Sequence, residues 1–135
     1  MHRPFKQPLR RHPLAHLDVI DKHVSEMLQN DLIEPADSPW ASNVVLVRKA
    51  NGQLWFCVNY RQLNLHTYMD SYPLPRIETC LNSLGGSKFF SSLDLWSGYW
   101  QAAIDPGSAD NTAFVTRRGT FRFEVLSFGL TNAPA

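Results

Sequence analysis

Asp94 sits near the end of an apolar run, Phe89-Phe90-Ser91-Ser92-Leu93-Asp94-Leu95, and a charge in such a pattern needs a reason. Taken alone it fits two. A carboxylate there can act as a cap, a turn former or half of an ion pair, or it can be a ligand for a hard cation. Mg²⁺ takes oxygen ligands in octahedral array, and in phosphoryl transfer paired Mg²⁺ ions are anchored by carboxylates. One carboxylate does not make such a site, and the sequence contains no Asp-Asp pair. His12 and His16 stand four apart with His23 beyond, the spacing of zinc ligands on a helix, but the stretch around the first two lacks helical periodicity and reads as solvated. Arg117-Arg118 at a turn, and more weakly Arg10-Arg11, are either solvent-exposed or contacts for a nucleic-acid backbone. The two cysteines, Cys57 and Cys80, lie in apolar runs without CxxC spacing, which argues against a zinc ribbon or disulfide framework and points to a reducing, intracellular setting.

The elements that must position these groups come from a chain of 135 residues, 44% hydrophobic and 19% charged, with a formal net charge of +1. That composition is ordinary for a globular domain, and the net charge argues neither for nor against a nucleic-acid partner. Prolines and charges interrupt residues 1–16 where a signal peptide needs an apolar stretch, and no segment has the length of a membrane span; neither secretion nor membrane insertion is expected.

Residues 1–15 mix Pro, Arg, His and Lys without period and are expected to be an extended or disordered leader to a single domain over 16–135. Ile20, Val24, Met27 and Leu28 predict a helix capped by Asp18 and stopped after Ile33 by Pro35. Val44–Lys49 and Leu54–Val58, separated by Asn51-Gly52, predict an antiparallel hairpin. Ile77, Cys80, Leu81 and Leu84 predict a second helix ended by Gly85-Gly86. Phe89–Leu95 is a candidate buried strand, Gln101–Asp105 another, and Thr112–Thr116 pairs with Thr120–Val125 across Arg117-Arg118-Gly119. No βαβ unit repeats, so the class expected is α+β. Asn132, with Pro134 behind it, resembles a helix cap with no helix following, an indication of truncation.

Several segments in order resemble the reverse transcriptases of gypsy-class LTR retrotransposon Pol polyproteins: Ser38-Pro39-Trp40-Ala41-Ser42, Phe56-Cys57-Val58-Asn59-Tyr60-Arg61-Gln62-Leu63-Asn64, and Asp70-Ser71-Tyr72-Pro73-Leu74-Pro75-Arg76-Ile77. So do Phe90-Ser91-Ser92-Leu93-Asp94-Leu95-Trp96-Ser97-Gly98-Tyr99-Trp100-Gln101, Thr112-Ala113-Phe114 and Phe128-Gly129-Leu130-Thr131-Asn132-Ala133-Pro134-Ala135. The resemblance implies a reverse transcriptase-like fingers and incomplete palm, an antiparallel sheet with helices, truncated before the YxDD hairpin. It implies an RNA-directed DNA polymerase that, intact, extends a primer 3′-hydroxyl with dNTPs on an RNA or DNA template using Mg²⁺. By the same resemblance Asp94 is the first metal-binding aspartate, Leu95 offers a backbone group near the triphosphate, and Tyr99 packs under the sugar. Lys49 becomes a candidate triphosphate contact, Arg61 a nucleic-acid contact or a brace, and Phe128 and Gly129 part of the loop against nucleotide and template base. Plainer readings stand beside these: core packing for Tyr99, solvation for Lys49 and a turn for Gly129.

The chain departs from the family's pattern at Trp55, where Arg is usual, at Asn59 for Asp, at Asn111 for Lys, and at Ser127 for Pro. An indole cannot replace a guanidinium that clamps a triphosphate. With one of three aspartates present, this chain alone is expected to be inactive, to hold Mg²⁺ poorly and to expose an apolar sheet edge that favours marginal folding or aggregation. The other function class is a non-catalytic nucleic-acid-binding or interaction protein retained from a retroelement insertion. The sequence leaves the oligomeric state unknown.

Overall fold

A computed structural model describes residues 3–134. Pro13, at φ −56, opens helix α1, Leu14–Gln29, because its fixed φ suits entry to a helix and its missing N–H is not needed there. Ile20, Val24 and Met27 recur on one face of α1 and are buried. The helix stops at Asp31, which takes φ 55, while Leu32 N donates back to Met27 O at 3.0 Å. The helix is therefore shifted from its expected span of Asp18 to Ile33. Asp18 lies inside it rather than capping it, and Ile33 belongs to strand β1, Ile33–Pro35.

Strands β2, Ser42–Arg48, and β3, Leu54–Val58, form the expected antiparallel hairpin, with Val45 opposite Cys57 and Val47 opposite Trp55. Gly52 at φ 84 turns the connection, and Lys49 N donates to Gln53 O at 2.8 Å. Strands β4, Phe114–Thr116, and β5, Gly119–Phe123, form a second hairpin across Arg117-Arg118. The five strands make one sheet in the order β1-β5-β4-β2-β3. The α+β class holds, but the sheet, expected to be antiparallel, is mixed: β2 pairs with β4 in parallel through Ser42↔Phe114 and Asn43↔Val115. The α1 face closes on Val44, Val58, Phe114, Phe121 and Phe123, and the ring of Phe114 meets those of Phe56, Phe121 and Phe123. Each such side chain taken from water contributes roughly 1.5–3 kcal/mol.

Residues 3–13 are extended and lie against the start of β2. Gln7 N donates to Ala41 O and Ala41 N to Phe5 O, each at 2.9 Å, and Phe5 meets the Trp40 ring edge-on at 5.4 Å. Asn43 fastens the same segment, donating to Pro8 O and accepting from Arg10 N.

Helix α2, Arg61–Leu65, follows β3 directly. Beyond it the chain runs to helix α3, Ile77–Ser83, which has no buried residue. Phe89–Leu95, expected as a buried strand, is neither strand nor buried: Phe89 is 94% and Leu93 92% exposed. A strand needs a neighbour for its donors and acceptors and a cover for its apolar faces. Among the described residues none lies beside this one. The expected strand at Gln101–Asp105 is reduced to a single bridge, Ala103↔Val125. At the other end, Asn132 caps no helix within the described residues; its side chain donates to Tyr68 O at 2.8 Å and accepts from Asp70 N at 3.0 Å. A helix beyond Pro134 would fall on Ala135 and so outside the described residues.

Candidate active site

Three of the residues singled out from sequence come together around a fourth. Lys49 closes the β2 end of the first hairpin and its Nζ stands 4.9 Å from the centre of the Trp55 ring. Trp55, exposed on β3, meets Phe128 edge-on at 5.5 Å, and Phe128 meets Tyr99 edge-on at 4.9 Å. The result is a row, Lys49–Trp55–Phe128–Tyr99, drawn from the hairpin, the loop after β5 and the short 3₁₀ turn Gly98–Gln101. Ser97, at φ 50, turns the chain into that 3₁₀ segment, and Gln101 Nε2 fastens it by donating to Trp96 O at 2.6 Å. Beneath the row lies a cavity of about 70 Å³ bordered by His23, Met27, Phe56, Trp100 and Ser127.

Gly129 stands next to the row and needs to be glycine. Its φ is 89, a left-handed conformation that strains any side chain, although a Cβ there would meet only ordinary contacts, 3.6 Å from Val58 O and 3.7 Å from the Tyr60 ring. Asn64 fixes this loop from α2, donating to Gly129 O at 2.7 Å and accepting from Thr131 N at 3.0 Å. Tyr60, fully buried, donates its hydroxyl to Thr112 O at 2.8 Å, and burial pushes that phenol far above its ordinary pKa. The Thr112 hydroxyl in turn accepts from Phe123 N, so Tyr60 at the start of α2, Thr112 and β5 share one buried polar network. The sequence motifs include Tyr60, Asn64 and Asn132 but give none of them this bracing role. No local signal could have found it, because the partners of Tyr60 and Asn64 lie 52 to 67 residues away in the chain.

Asp94 and Leu95 precede the 3₁₀ turn and are exposed. Among the described residues no group of three or more His, Cys, Asp or Glu side chains converges as a metal site. One exposed carboxylate does not fit a resident Mg²⁺, which needs further oxygen ligands held in octahedral array. Arg61, the first residue of α2, lies apart from the row, on a concavity it shares with Arg10, Val45, Cys57 and Asn59. Arg117 and Arg118 turn back on the protein. Arg117 bonds Asp18 at 3.1 Å and Asp21, and Arg118 bonds Ser25 at 2.7 Å, so the pair pins the second hairpin to α1 and neither is free for a phosphate. On the opposite edge Arg122 joins Glu34 of β1 to Asp110, and its bond to Glu34 holds that carboxyl below its usual range.

The mixed sheet with its flanking helices is an α+β fold of the reverse transcriptase type. The chain belongs to the reverse transcriptase family: the family model described as reverse transcriptase (RNA-dependent DNA polymerase) matches residues 10–135. The Pol polyprotein of transposon 412 from Drosophila melanogaster is 38% identical over 130 residues, covering 92% of this chain and 10% of that protein. The enzymatic polyprotein of cauliflower mosaic virus (strain Strasbourg) is 35% identical over 133 residues, covering 96% of this chain and 19% of that one. In fold the chain is similar to native prototype foamy virus protease-reverse transcriptase, with a TM-score of 0.86, 23% identity and coverage of 100% of this chain and 18% of that one. It is also similar to the foamy viral protease-reverse transcriptase solved with an RNA/DNA hybrid, with a TM-score of 0.79, 19% identity and coverage of 99% and 18%. The chain thus spans between a tenth and a fifth of the curated relatives just named. Among the described residues no helix is long and apolar enough to cross a membrane.

Proposed function

We propose that these residues are the nucleotide- and template-facing part of a gypsy-class RNA-directed DNA polymerase, which in its intact form extends a primer 3′-hydroxyl with dNTPs by two-Mg phosphoryl transfer. The observation that carries this reading is the convergence of Lys49, Phe128 and Tyr99, from three separate segments, on one row. In this reading Tyr99 offers the sugar a flat, rigid wall and Lys49 offers a triphosphate its charge, while Gly129 lets the backbone approach a base pair. Asp94 would supply one metal ligand and Leu95 a backbone group beside it. Both are exposed here, and the 135 residues contain no Asp-Asp pair, so the chain by itself binds nucleic acid without polymerising.

Trp55 sharpens that expectation. An indole between Lys49 and Phe128 stacks and takes a cation on its face, but it accepts no negative charge from a triphosphate. Titration of the chain with a labelled RNA–DNA template-primer is expected to show binding that weakens steeply as salt rises. No binding at low salt would overturn the template-facing reading.

A further inference from the structure

The leader, residues 3–13, is extended, and near its start the side chains alternate as a strand's do: Phe5 and Gln7 are half-buried, while Pro4, Lys6 and Pro8 are exposed. Phe5 lies against two rings. It meets Trp40 edge-on at 5.4 Å and the imidazole of His66, the C-terminal cap of α2, at 6.1 Å. The Gln7 side chain joins two elements, accepting from Asn43 N of β2 at 3.0 Å and donating from Nε2 to Gln62 Oε1 of α2 at 3.0 Å. Gln62 and His66 stand four apart, so both inward residues of the leader grip one side of α2. Asn64, two residues from each, projects from the opposite side. From there it holds the loop after β5 through Gly129 O and Thr131 N.

We propose that Phe5 and Gln7 are positioning residues: the leader is a strap that sets α2 and, through Asn64, the loop that carries Phe128 and Gly129. Its bearing on function rests on the reading of that loop as facing nucleotide and template base. A helix of five residues has no stability of its own, because a single turn costs more to nucleate than its bonds return. Contacts on its sides must hold it. Leu63 is its one buried residue, and Tyr60 anchors its start through the hydroxyl on Thr112 O. The leader secures its flank at Gln62 and its far end at His66. With the leader detached, α2 can turn about Tyr60 and Leu63, and the Asn64 amide loses the alignment that lets it donate to Gly129 O and accept from Thr131 N together. The row then loosens at Phe128, while Trp55 stays fixed in the first hairpin.

The test reads amide hydrogen exchange across the full 135-residue chain by NMR, with Thr131 as reporter because its N–H is given to Asn64 Oδ1. Phe5→Ala and Gln7→Ala are each expected to speed exchange at Thr131 by about five- to tenfold while the amides of β4 and β5 keep their rates. Lys6→Ala, on the outward side of the same segment, is expected to change neither. Asn64→Ala frees Thr131 directly, and adding Gln7→Ala to it is expected to bring no further increase, since two residues acting through one contact are not additive. Gln7→Ala removes no apolar side chain, so it keeps the measurement decisive if Phe5→Ala unfolds the chain. A labelled RNA–DNA template-primer is expected to bind both leader variants more weakly than wild type with an unchanged salt slope, because neither residue carries charge. Thr131 exchange that Gln7→Ala leaves unchanged, an equal rise in β4 and β5, or additivity with Asn64→Ala overturns the strap. Faster Thr131 exchange with wild-type affinity overturns its part in binding. A wild-type chain that binds no template-primer overturns the template-facing reading alone, for the exchange result stands without it.

Discussion

Tyr60 shows how a single polar atom fixes the surroundings of the candidate site. Its ring fills the core, and its hydroxyl supplies the Thr112 carbonyl with a partner that water cannot provide. Tyr60→Phe keeps the ring but orphans that carbonyl, and is expected to cost about 1–2 kcal/mol in chemical denaturation. Gly129→Ala forces a side chain into a left-handed conformation and is expected to cost a further, separate amount of about 1–2 kcal/mol. The two cysteines differ in the same physical terms. Cys57 is half-buried and burial pushes its thiol up, whereas Cys80 is exposed on α3. Iodoacetamide at neutral pH is expected to alkylate Cys80 first, and mass spectrometry reads the order. Faster labelling of Cys57 would contradict its packing in the first hairpin.

At the scale of elements, charge pairs tie the sheet's ends to its helix, and their pH dependence has a definite sign. Arg122 depresses the Glu34 carboxyl, so the stability this pair contributes is present above the unfolded carboxyl pKa and is lost as pH falls through the lower folded value. Glu124 is the opposite case. Its hydrogen bond to Glu34, and then the like charge, hold its carboxyl above the usual range. A carboxyl raised on folding costs stability above its folded pKa and nothing below its unfolded value. Glu124→Gln is therefore expected to raise Tm at neutral pH, with the difference closing in acid. What is legible in the sequence about the elements follows from local physics. Asn51-Gly52 between β-branched runs, and the spacing of Ile20, Val24 and Met27, need no tertiary context to be read. Phe89–Leu95 misleads because apolar content marks a segment that wants covering, not one that is covered. Amide hydrogen exchange is expected to be fast across residues 89–95 and slow across β2, β4 and β5; protection of 89–95 would show a pairing absent from this structure.

For the whole molecule, the aromatic row and Asp94 have separate fates. Lys49, Phe128 and Tyr99 stand out in the sequence without any sign that they touch, since roughly forty to eighty residues separate the hairpin from the other two. Their meeting through Trp55 depends on the pairing of β2 with β4, a long-range parallel pairing that no local pattern announces. Arg117-Arg118 misleads for the matching reason: the acidic residues that bind the first of them, Asp18 and Asp21, lie about a hundred residues earlier on α1. Asp94 is legible as a lone charge in an apolar run, and lone and exposed is how it stands. The central question is therefore whether this chain can do chemistry with one carboxylate. Primer extension with the purified chain, an RNA template annealed to a DNA primer, dNTPs and Mg²⁺ measures that directly. No template-dependent incorporation is the result expected; incorporation that Asp94→Ala abolishes would contradict the claim that the 135 residues hold an incomplete metal site.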